Sequence, residues 1–416
     1  ATPNRLKNIE EREIQILRAA VDKLESRAGK KMAQAPEVQK IINRLERFLQ
    51  EKKLVCYGGT AINAMLPEKY RFYNNDIEVP DYDFYSPDAL EHAEELADIF
   101  FKMGYNEVEA KSGAHPGTFK VFVNFMPIAD ITYMDRTLFD VLSSQSYIKN
   151  GIRYAPTNFL RMAMYLELSR PEGDVSRWEK VLKRLTLLNK VYPMELGTCS
   201  KIELQRPIDA DELGGSESVK ADARATDARA IDPAEPRNRK KLLAEKLELH
   251  RKRTQDKIYE LTQNVLMNSD IVFIGGFADI LYTKYLPKNE QRKLTKNPEF
   301  DVLSNGPYEL AKLIKLTLTT NGIRGVTVEK MPAIGEIVLD HYKVAVGKNI
   351  IVLIYKPTAC HSYNAVKLNG KLIKVASIDT MLMFYLVFSY AKRYYYNRDR
   401  LLCLASILFY IQNKNR

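Results

Sequence analysis

The chain has 416 residues, 45% of them hydrophobic and 28% charged, a composition typical of a globular protein with room for two or three domains. Its formal net charge of +11 favours a polyanionic partner, although a basic scaffold or a membrane-surface protein would fit the charge equally well. The apolar runs at 381–391 and 401–411 are too short to span a bilayer, so we expect buried helices and no membrane association. The four cysteines are far apart without zinc-site spacing, and we expect them to be reduced, as in a cytosolic protein.

Residues 1–53 are predicted to form an N-terminal helical segment, because apolar side chains recur there at helical spacing. Two helices are indicated, with apolar stripes at Ile14, Leu17 and Val21 and at Ile41, Leu45 and Phe48. Lysine and arginine are in surplus over this stretch, and a solvated helix face explains most of them better than contact with nucleic-acid phosphates does.

The stretch 54–86 combines a glycine turn with two closely spaced acids. A short apolar strand runs into Gly58, Gly59 and Thr60, which open a helical pattern and make a natural seat for phosphate. The next predicted strand, residues 81–85, carries Asp81 and Asp83, whose side chains face the same way because they are two positions apart. The pair could share a divalent metal, so the stretch has the minimal equipment for phosphoryl or nucleotidyl transfer.

A third acid follows on a neighbouring predicted strand. Residues 119–125 and 128–133 read as two strands, and Asp130 is flanked by apolar residues within the second. An acid in a buried strand is costly unless it is paired or bound to metal. The alternative for the Asp-x-Asp pattern alone is a solvated strand edge, but the upstream glycine turn and the downstream Asp130 argue against it.

Downstream, residues 147–154 predict a hairpin and residues 156–169 a helix. A basic cluster then surrounds Trp178, and it could hold a triphosphate or the end of a nucleic acid strand; it comprises Arg161, Arg170, Arg177, Lys180 and Arg184. Helix capping by Arg170 and a core position for Trp178 are the alternatives left open. Residues 205–240 are polar and nearly free of large apolar side chains, which predicts a linker or a mobile loop.

The part after this stretch repeats the part before it. Three landmarks recur at offsets of 217, 218 and 219 residues: Gly58 and Gly275, Asp83 and Asp301, Asn150 and Asn369. Landmarks at nearly one offset over such a distance indicate a duplicated module.

The second copy lacks the groups that the chemistry needs. Thr60 is replaced by Phe277, whose ring we expect to fill the phosphate seat, and Asp81 is replaced by Glu299. The strand that matches Asp130, residues 350–356, has no acid. We therefore expect a degenerate copy that serves as a nucleic-acid grip, a cleft wall or a dimer surface, with basic segments 284–296 and 392–400 as candidate contacts.

These motifs resemble the nucleotidyltransferase superfamily that includes DNA polymerase beta and poly(A) polymerases. The strings YGGTAINAML, DYDFYS and PIADITYMD are similar to the poly(A) polymerase catalytic subunits of poxviruses and giant DNA viruses. Residues 61–80 are longer than is usual in the superfamily, which suggests an insertion at 67–78. The resemblance implies an α+β, polymerase-beta-like nucleotidyltransferase fold, duplicated, with an N-terminal helical segment. The expected domains are 1–53 (helical segment), 54–204 (active domain), 205–240 (linker) and 241–416 (degenerate domain).

The resemblance further implies template-independent addition of AMP from ATP to RNA 3′ ends, as in mRNA polyadenylation. Asp81, Asp83 and Asp130 would be catalytic and would hold Mg²⁺ or Mn²⁺. The expected nucleotide-binding residues are Gly58, Gly59, Thr60, Asn63 and Lys149. RNA and ATP would be the partners, with a homodimer left open, in the cytoplasm of a virus-infected cell and with packaging in the virion left open.

Two other functions stay open at this point. One is a different terminal nucleotidyltransferase, such as a CCA-adding or oligoadenylate-synthesising enzyme, since no separate base-selecting motif is evident. The other is a non-catalytic RNA-binding scaffold, against which the intact set of three acids speaks.

Overall fold

The computed structural model describes residues 13–17, 20–21, 24, 30–73, 79–113, 115–194, 199, 201–209, 236–294, 297–335 and 337–414, with only the backbone described for 236–243. The described chain divides into two compact units. The first unit comprises the residues up to 160 together with 183–192, and the second comprises 161–182 and the residues from 193 onwards. The predicted active domain, 54–204, is therefore divided: its residues 161–182 and 193–204 group with the second unit.

Twelve helices of the described residues are numbered here in chain order. They are α1 (Pro36–Lys52), α2 (Gly58–Met65), α3 (Ala89–Lys102), α4 (Arg136–Ser144), α5 (Thr157–Leu168), α6 (Trp178–Val191), α7 (Pro236–Met267), α8 (Gly275–Tyr282), α9 (Lys288–Gln291), α10 (Pro307–Thr320), α11 (Ile378–Phe388) and α12 (Arg398–Lys414). Residues 13–17 are helical as well, in line with the predicted N-terminal helical segment. No helix in the described ranges is long and apolar enough to cross a membrane.

The first unit contains a seven-stranded sheet. Its strands are β1 (Val55–Tyr57), β2 (Tyr82–Ser86), β3 (Val108–Ser112), β4 (Thr118–Val123), β5 (Met126–Tyr133), β6 (Tyr147–Lys149) and β7 (Ile152–Tyr154). They are ordered β3-β4-β5-β2-β1-β7-β6 across the sheet. The predicted hairpin at 147–154 is β6–β7, with Asn150 and Gly151 at positive φ in its turn.

The second unit repeats this sheet strand for strand. Its strands are β8 (Val272–Ile274), β9 (Phe300–Leu303), β10 (Val326–Met331), β11 (His341–Val346), β12 (Asn349–Tyr355), β13 (Tyr363–Leu368) and β14 (Lys371–Ala376). The order β10-β11-β12-β9-β8-β14-β13 is that of the first sheet with each strand number raised by seven. The predicted duplication is confirmed, and with it the α+β class.

Local sequence patterns explain the elements that carry the site. Helix α1 starts at a proline, which is favoured in the first helical turn, and buries a full apolar stripe: Ile41, Ile42, Leu45, Phe48 and Leu49. Strand β2 alternates in burial, so Tyr82, Phe84 and Ser86 face one side while Asp83 and Tyr85 face the other. This alternation directs Asp83 away from the fully buried face of the sheet.

Two expectations need correction. The predicted linker 205–240 begins too early and ends too late, because Arg206 is only 8% exposed within the second unit and α7 already starts at Pro236; residues 210–235 lie outside the described ranges. The expectation of four reduced cysteines was wrong, since Cys199 and Cys403 form a disulfide within the second unit with their Cα atoms 5.9 Å apart. Their separation of 204 residues hid the pairing from the sequence.

Candidate active site

Two of the three predicted acids lie side by side on neighbouring strands. Asp83 on β2 is directly opposite Asp130 on β5 in a parallel pair. Neighbouring strands are roughly 4.8 Å apart, so both carboxylates project from one face of the sheet as a pair. Asp81 lies one residue before β2, which begins at Tyr82 and not at Asp81 as expected, and it is exposed.

A lysine completes this row of charged side chains. Lys120 on β4 is opposite Asp130, and its Nζ lies 2.5 Å from the Asp130 Oδ2. An acid in a buried strand needs a partner, and the Lys120 ammonium is that partner for Asp130. Lys120 lies on the side of Asp130 that faces away from Asp83.

The three acids suit a divalent cation by their chemistry. Within the described ranges no three carboxylate, imidazole or thiolate side chains stand close enough to enclose one ion. Asp81, Asp83 and Asp130 nevertheless offer only oxygen donors from two adjacent strands, the ligand type that Mg²⁺ and Mn²⁺ prefer.

The glycine turn is built against these acids. Gly58 has φ +70°, and a Cβ at this position would overlap the Asp83 carboxylate. Helix α2 begins here, and the first backbone N–H groups of a helix have no partner within it. The Thr60 hydroxyl donates to the Asp81 carbonyl at 2.5 Å. Thr60 therefore ties the glycine turn to the residue that opens the Asp-x-Asp segment.

A cavity of about 910 Å³ opens beside this turn in the first unit. Residues of α2, the following loop and the β6–β7 hairpin line it, among them Thr60, Asn63, Arg71, Tyr73, Asp81 and Lys149. The Lys149 Nζ donates to the Ala64 carbonyl at 2.9 Å. Burial, followed by the nearby Arg71, lowers the pKa of Lys149. The structure thus brings the predicted residues Thr60, Asn63 and Lys149 to one cavity next to the acids.

Asn63 shapes this cavity through the loop that follows α2. Its side chain is 7% exposed, and its Oδ1 accepts hydrogen bonds from the backbone N–H groups of Phe72 and Tyr73 at 2.9 and 3.1 Å. These bonds engage Asn63 with the protein itself, and its predicted contact with a nucleotide stays a prediction. Tyr73 and Arg71 were missed because they fall in the predicted insertion at 67–78, where no motif marks them.

The five residues of the predicted basic cluster differ in burial and in the unit to which they belong. Arg161 is 1% exposed in the second unit, where its guanidinium lies 5.8 Å from the Phe409 ring centre and burial lowers its pKa to about 10. Arg184 alone of the five belongs to the first unit, and its guanidinium lies over Gly59. Sequence proximity to Trp178 was the only signal that pointed to Arg184.

Comparison with known proteins agrees with this geometry. Residues 43–174 match the family described as poly(A) polymerase catalytic subunit. The matched residues contain the glycine turn, all three acids and Lys149, so the resemblance inferred from the motifs is confirmed.

Viral proteins are among the relatives. Putative poly(A) polymerase catalytic subunits of African swine fever virus (isolate Tick/Malawi/Lil 20-1/1983) and of Acanthamoeba polyphaga mimivirus are 33% and 31% identical over 180 and 163 residues. These matches cover 42% and 38% of this chain but only 38% and 27% of the relatives, so the chain matches well under half the length of either. The crystal structure of the Megavirus polyadenylate synthase shares the fold over 97% of this chain and 76% of its own, with a TM-score of 0.71 at 17% identity.

In the second unit, the row that corresponds to the acids of the first unit lacks one member. Asp301 on β9 is opposite Leu353 on β12, and Leu353 is opposite Lys343 on β11. The register therefore places Leu353 where the first unit has Asp130 and Lys343 where it has Lys120. Lys343 is paired instead with Glu329 at 2.6 Å. The prediction that this copy lacks the third acid is confirmed.

The two remaining acids of the second unit form ion pairs with arginines. Arg206 donates two hydrogen bonds to the Asp301 carboxylate, at 2.9 and 3.0 Å, and lies 3.3 Å from Glu299. Arg400 lies 2.8 Å from the other Glu299 oxygen. Burial lowers the pKa of Arg206, but Asp301 and Glu299 outweigh burial and raise it above its ordinary value. Arg400, predicted as a candidate RNA contact, is thus a buried ion-pair partner.

The phosphate seat of the second unit is closed, although not by the expected ring. Phe277 is 3% exposed and packs against Phe273 and Phe300, with ring centres 4.7 and 5.3 Å away, so it belongs to the core. The Leu204 carbonyl lies over Gly276 instead, where it would overlap any Cβ. The cavity lined by Arg206 and Glu299 holds only about 30 Å³.

Proposed function

We propose that this protein is a template-independent polynucleotide adenylyltransferase that extends RNA 3′ ends with AMP taken from ATP. The observation that carries the proposal is the in-register pair Asp83–Asp130 beside a glycine turn and a cavity of about 910 Å³. The geometry supports nucleotidyl transfer. The choice of adenylate and of RNA rests on the names of the viral relatives.

In the proposed reaction, the RNA 3′-oxygen forms a bond to the α-phosphorus of ATP. The bond from that phosphorus to the oxygen bridging the β-phosphate breaks, pyrophosphate leaves, and the hydroxyl proton is released. Asp81, Asp83 and Asp130 would hold Mg²⁺ or Mn²⁺, which when bound neutralises triphosphate charge and lowers the pKa of the attacking hydroxyl.

The remaining parts of the site position the substrates. Gly58 allows the Asp83 carboxylate to lie against the turn, and Thr60 fixes the turn to the Asp81 backbone. Lys149 and Arg71 supply positive charge to the cavity that would receive the nucleotide. Catalysis would then depend on orientation and on preorganised charge, with little covalent chemistry asked of the side chains.

The test is primer extension with purified protein, Mg²⁺, a short RNA primer and each nucleoside triphosphate supplied separately. We expect a product ladder with ATP, and no extension by Asp83→Asn or Asp130→Asn protein with unchanged thermal unfolding. Asp98→Asn is the matched control, because Asp98 is an exposed helical acid 3.9 Å from Lys102. It should extend the primer as the wild type does.

Other products would replace the proposal. Addition limited to a few nucleotides from CTP and ATP would indicate a CCA-adding enzyme, and oligomers formed from ATP without primer would indicate oligoadenylate synthesis. Normal RNA binding without extension by any nucleotide would indicate a non-catalytic scaffold.

A further inference from the structure

An arginine for which the described residues provide no acidic partner lies over the second glycine of the turn. Arg184 on α6 is half-buried, and its Nη2 lies 2.9 Å from the position that a Cβ of Gly59 would take. The Tyr73 hydroxyl lies 2.6 Å from the same point. A side chain at position 59 would have to displace one of these two groups, so the guanidinium and the turn are in close contact.

Two aromatic rings hold the guanidinium in this place. Its central carbon lies 5.0 Å from the Phe72 ring centre and 5.4 Å from that of Tyr73, within cation–π range. Its Nη2 also donates to the Tyr73 hydroxyl at 2.5 Å. The loop that carries both rings is fixed to α2 by Asn63. Arg184 is therefore held in one orientation by the loop that follows α2, the helix that starts at the glycine turn.

Among the described residues, most of the hydrogen-bonding capacity of Arg184 remains for a ligand. A guanidinium has five N–H donors and keeps its charge at every physiological pH. In the described part of the chain, Tyr73 accepts one hydrogen bond from Arg184, and no carboxylate pairs with it. Arg206 shows the contrast, since two buried carboxylates surround it.

We propose that Arg184 binds the β- and γ-phosphates of the incoming nucleoside triphosphate. This inference rests on the proposed function, which requires the reacting α-phosphorus to lie beside Asp83 and Asp130. Asp83 lies against Gly58, whereas Arg184 lies against Gly59, one residue further along the turn. The planar guanidinium at that point can donate paired hydrogen bonds to oxygens of the β- and γ-phosphates, which are not the site of attack.

The test uses inorganic tripolyphosphate as the probe, in calorimetric titrations with Mg²⁺ present and no reaction possible. Arg184→Met should weaken tripolyphosphate binding about 10- to 100-fold, the range for hydrogen bonds to a charged group, while AMP and primer RNA bind as before. Arg184→Lys should recover part of the affinity. Tyr73→Phe, which keeps the ring and removes the hydroxyl, should cause a smaller loss. Arg136→Met is the control, because Arg136 is exposed and paired with Asp88 at 2.7 Å.

Three results would overturn the inference: wild-type protein that does not bind tripolyphosphate, unchanged binding by Arg184→Met, or a loss confined to primer RNA, which would make Arg184 an RNA contact. Failure of the proposed function is a separate outcome. Wild-type protein that binds tripolyphosphate through Arg184 but extends no primer would remove the adenylyltransferase assignment and leave the phosphate site in place.

Discussion

Gly58 lies under two separate constraints, one from its own backbone and one from a neighbouring side chain. Its φ of +70° is strained for any residue with a Cβ, at a cost of about 1–2 kcal/mol. A Cβ would also displace the Asp83 carboxylate. Gly104 is subject to the first constraint alone, since its φ is +96° and nothing lies within 4 Å of its Cβ position.

This difference gives a matched prediction. Gly58→Ala should lose at least as much stability as Gly104→Ala, whereas only Gly58→Ala should lose about 100-fold in single-nucleotide addition, because small misplacements of a reacting group have effects of that size. Thermal unfolding and single-turnover primer extension measure the two quantities. Comparable activity of the two variants would show that the position of Asp83 is not set by Gly58.

At the scale of elements, the segment 201–209 determines what the second sheet can do. It places the Leu204 carbonyl over the glycine turn and Arg206 between Glu299 and Asp301. The positions that correspond to the glycine turn and to the acids of the first unit are therefore both filled from within the second unit. Within the described residues, the second sheet lacks a metal site for two independent reasons: the third acid is missing, and the Arg206 guanidinium already pairs with the other two acids.

Arg206 should be a major source of stability in the second unit. Arg206→Ala leaves two buried carboxylates without that partner, which costs about 3–5 kcal/mol in comparable buried pairs. Trp178, the one tryptophan of the chain, belongs to the second unit, so its fluorescence during urea unfolding reports on that unit. Arg324→Ala, at an exposed position of the same unit, should change little.

Neutralising the acids should offset this loss. The triple variant with Arg206→Ala, Glu299→Gln and Asp301→Asn removes both sides of the ion pair and should regain part of the stability. Its single-nucleotide addition should stay within a few-fold of the wild type, because the proposed chemistry belongs to the first unit. A triple variant that is stable but adds no nucleotide would show that the second unit takes part in transfer.

At the scale of the whole molecule, the net charge of +11 should dominate binding of RNA. If three or more phosphates are contacted, affinity should fall about tenfold or more between 50 and 200 mM salt, because condensed counterions are released on binding. Filter binding with primers of equal length and different sequence measures both salt and sequence dependence. A flat response to salt, or a strong preference for one primer sequence, would contradict binding through phosphates.

Much of the fold could be predicted from the sequence, because the motifs that indicate it are short or recur at a nearly constant spacing. The glycine turn, the Asp-x-Asp pair and the Asn-Gly hairpins are short motifs whose residue types are required by their backbone geometry. The duplication was visible as three landmarks at nearly one offset, and the two identical strand orders confirm it. The absence of an acid at 350–356, together with Phe277 and Glu299 in place of Thr60 and Asp81, predicted the degenerate copy.

Only the tertiary structure decided which groups face each other. Strand register places Lys120 beside Asp130, and packing brings Arg184 to Gly59 although about 125 residues separate them in the sequence. Composition predicted a linker around Arg206, yet this side chain is buried because its counter-charges come from residues more than 90 positions away. A charged side chain is buried when partners satisfy it, and partners distant in sequence leave no local pattern by which to predict them.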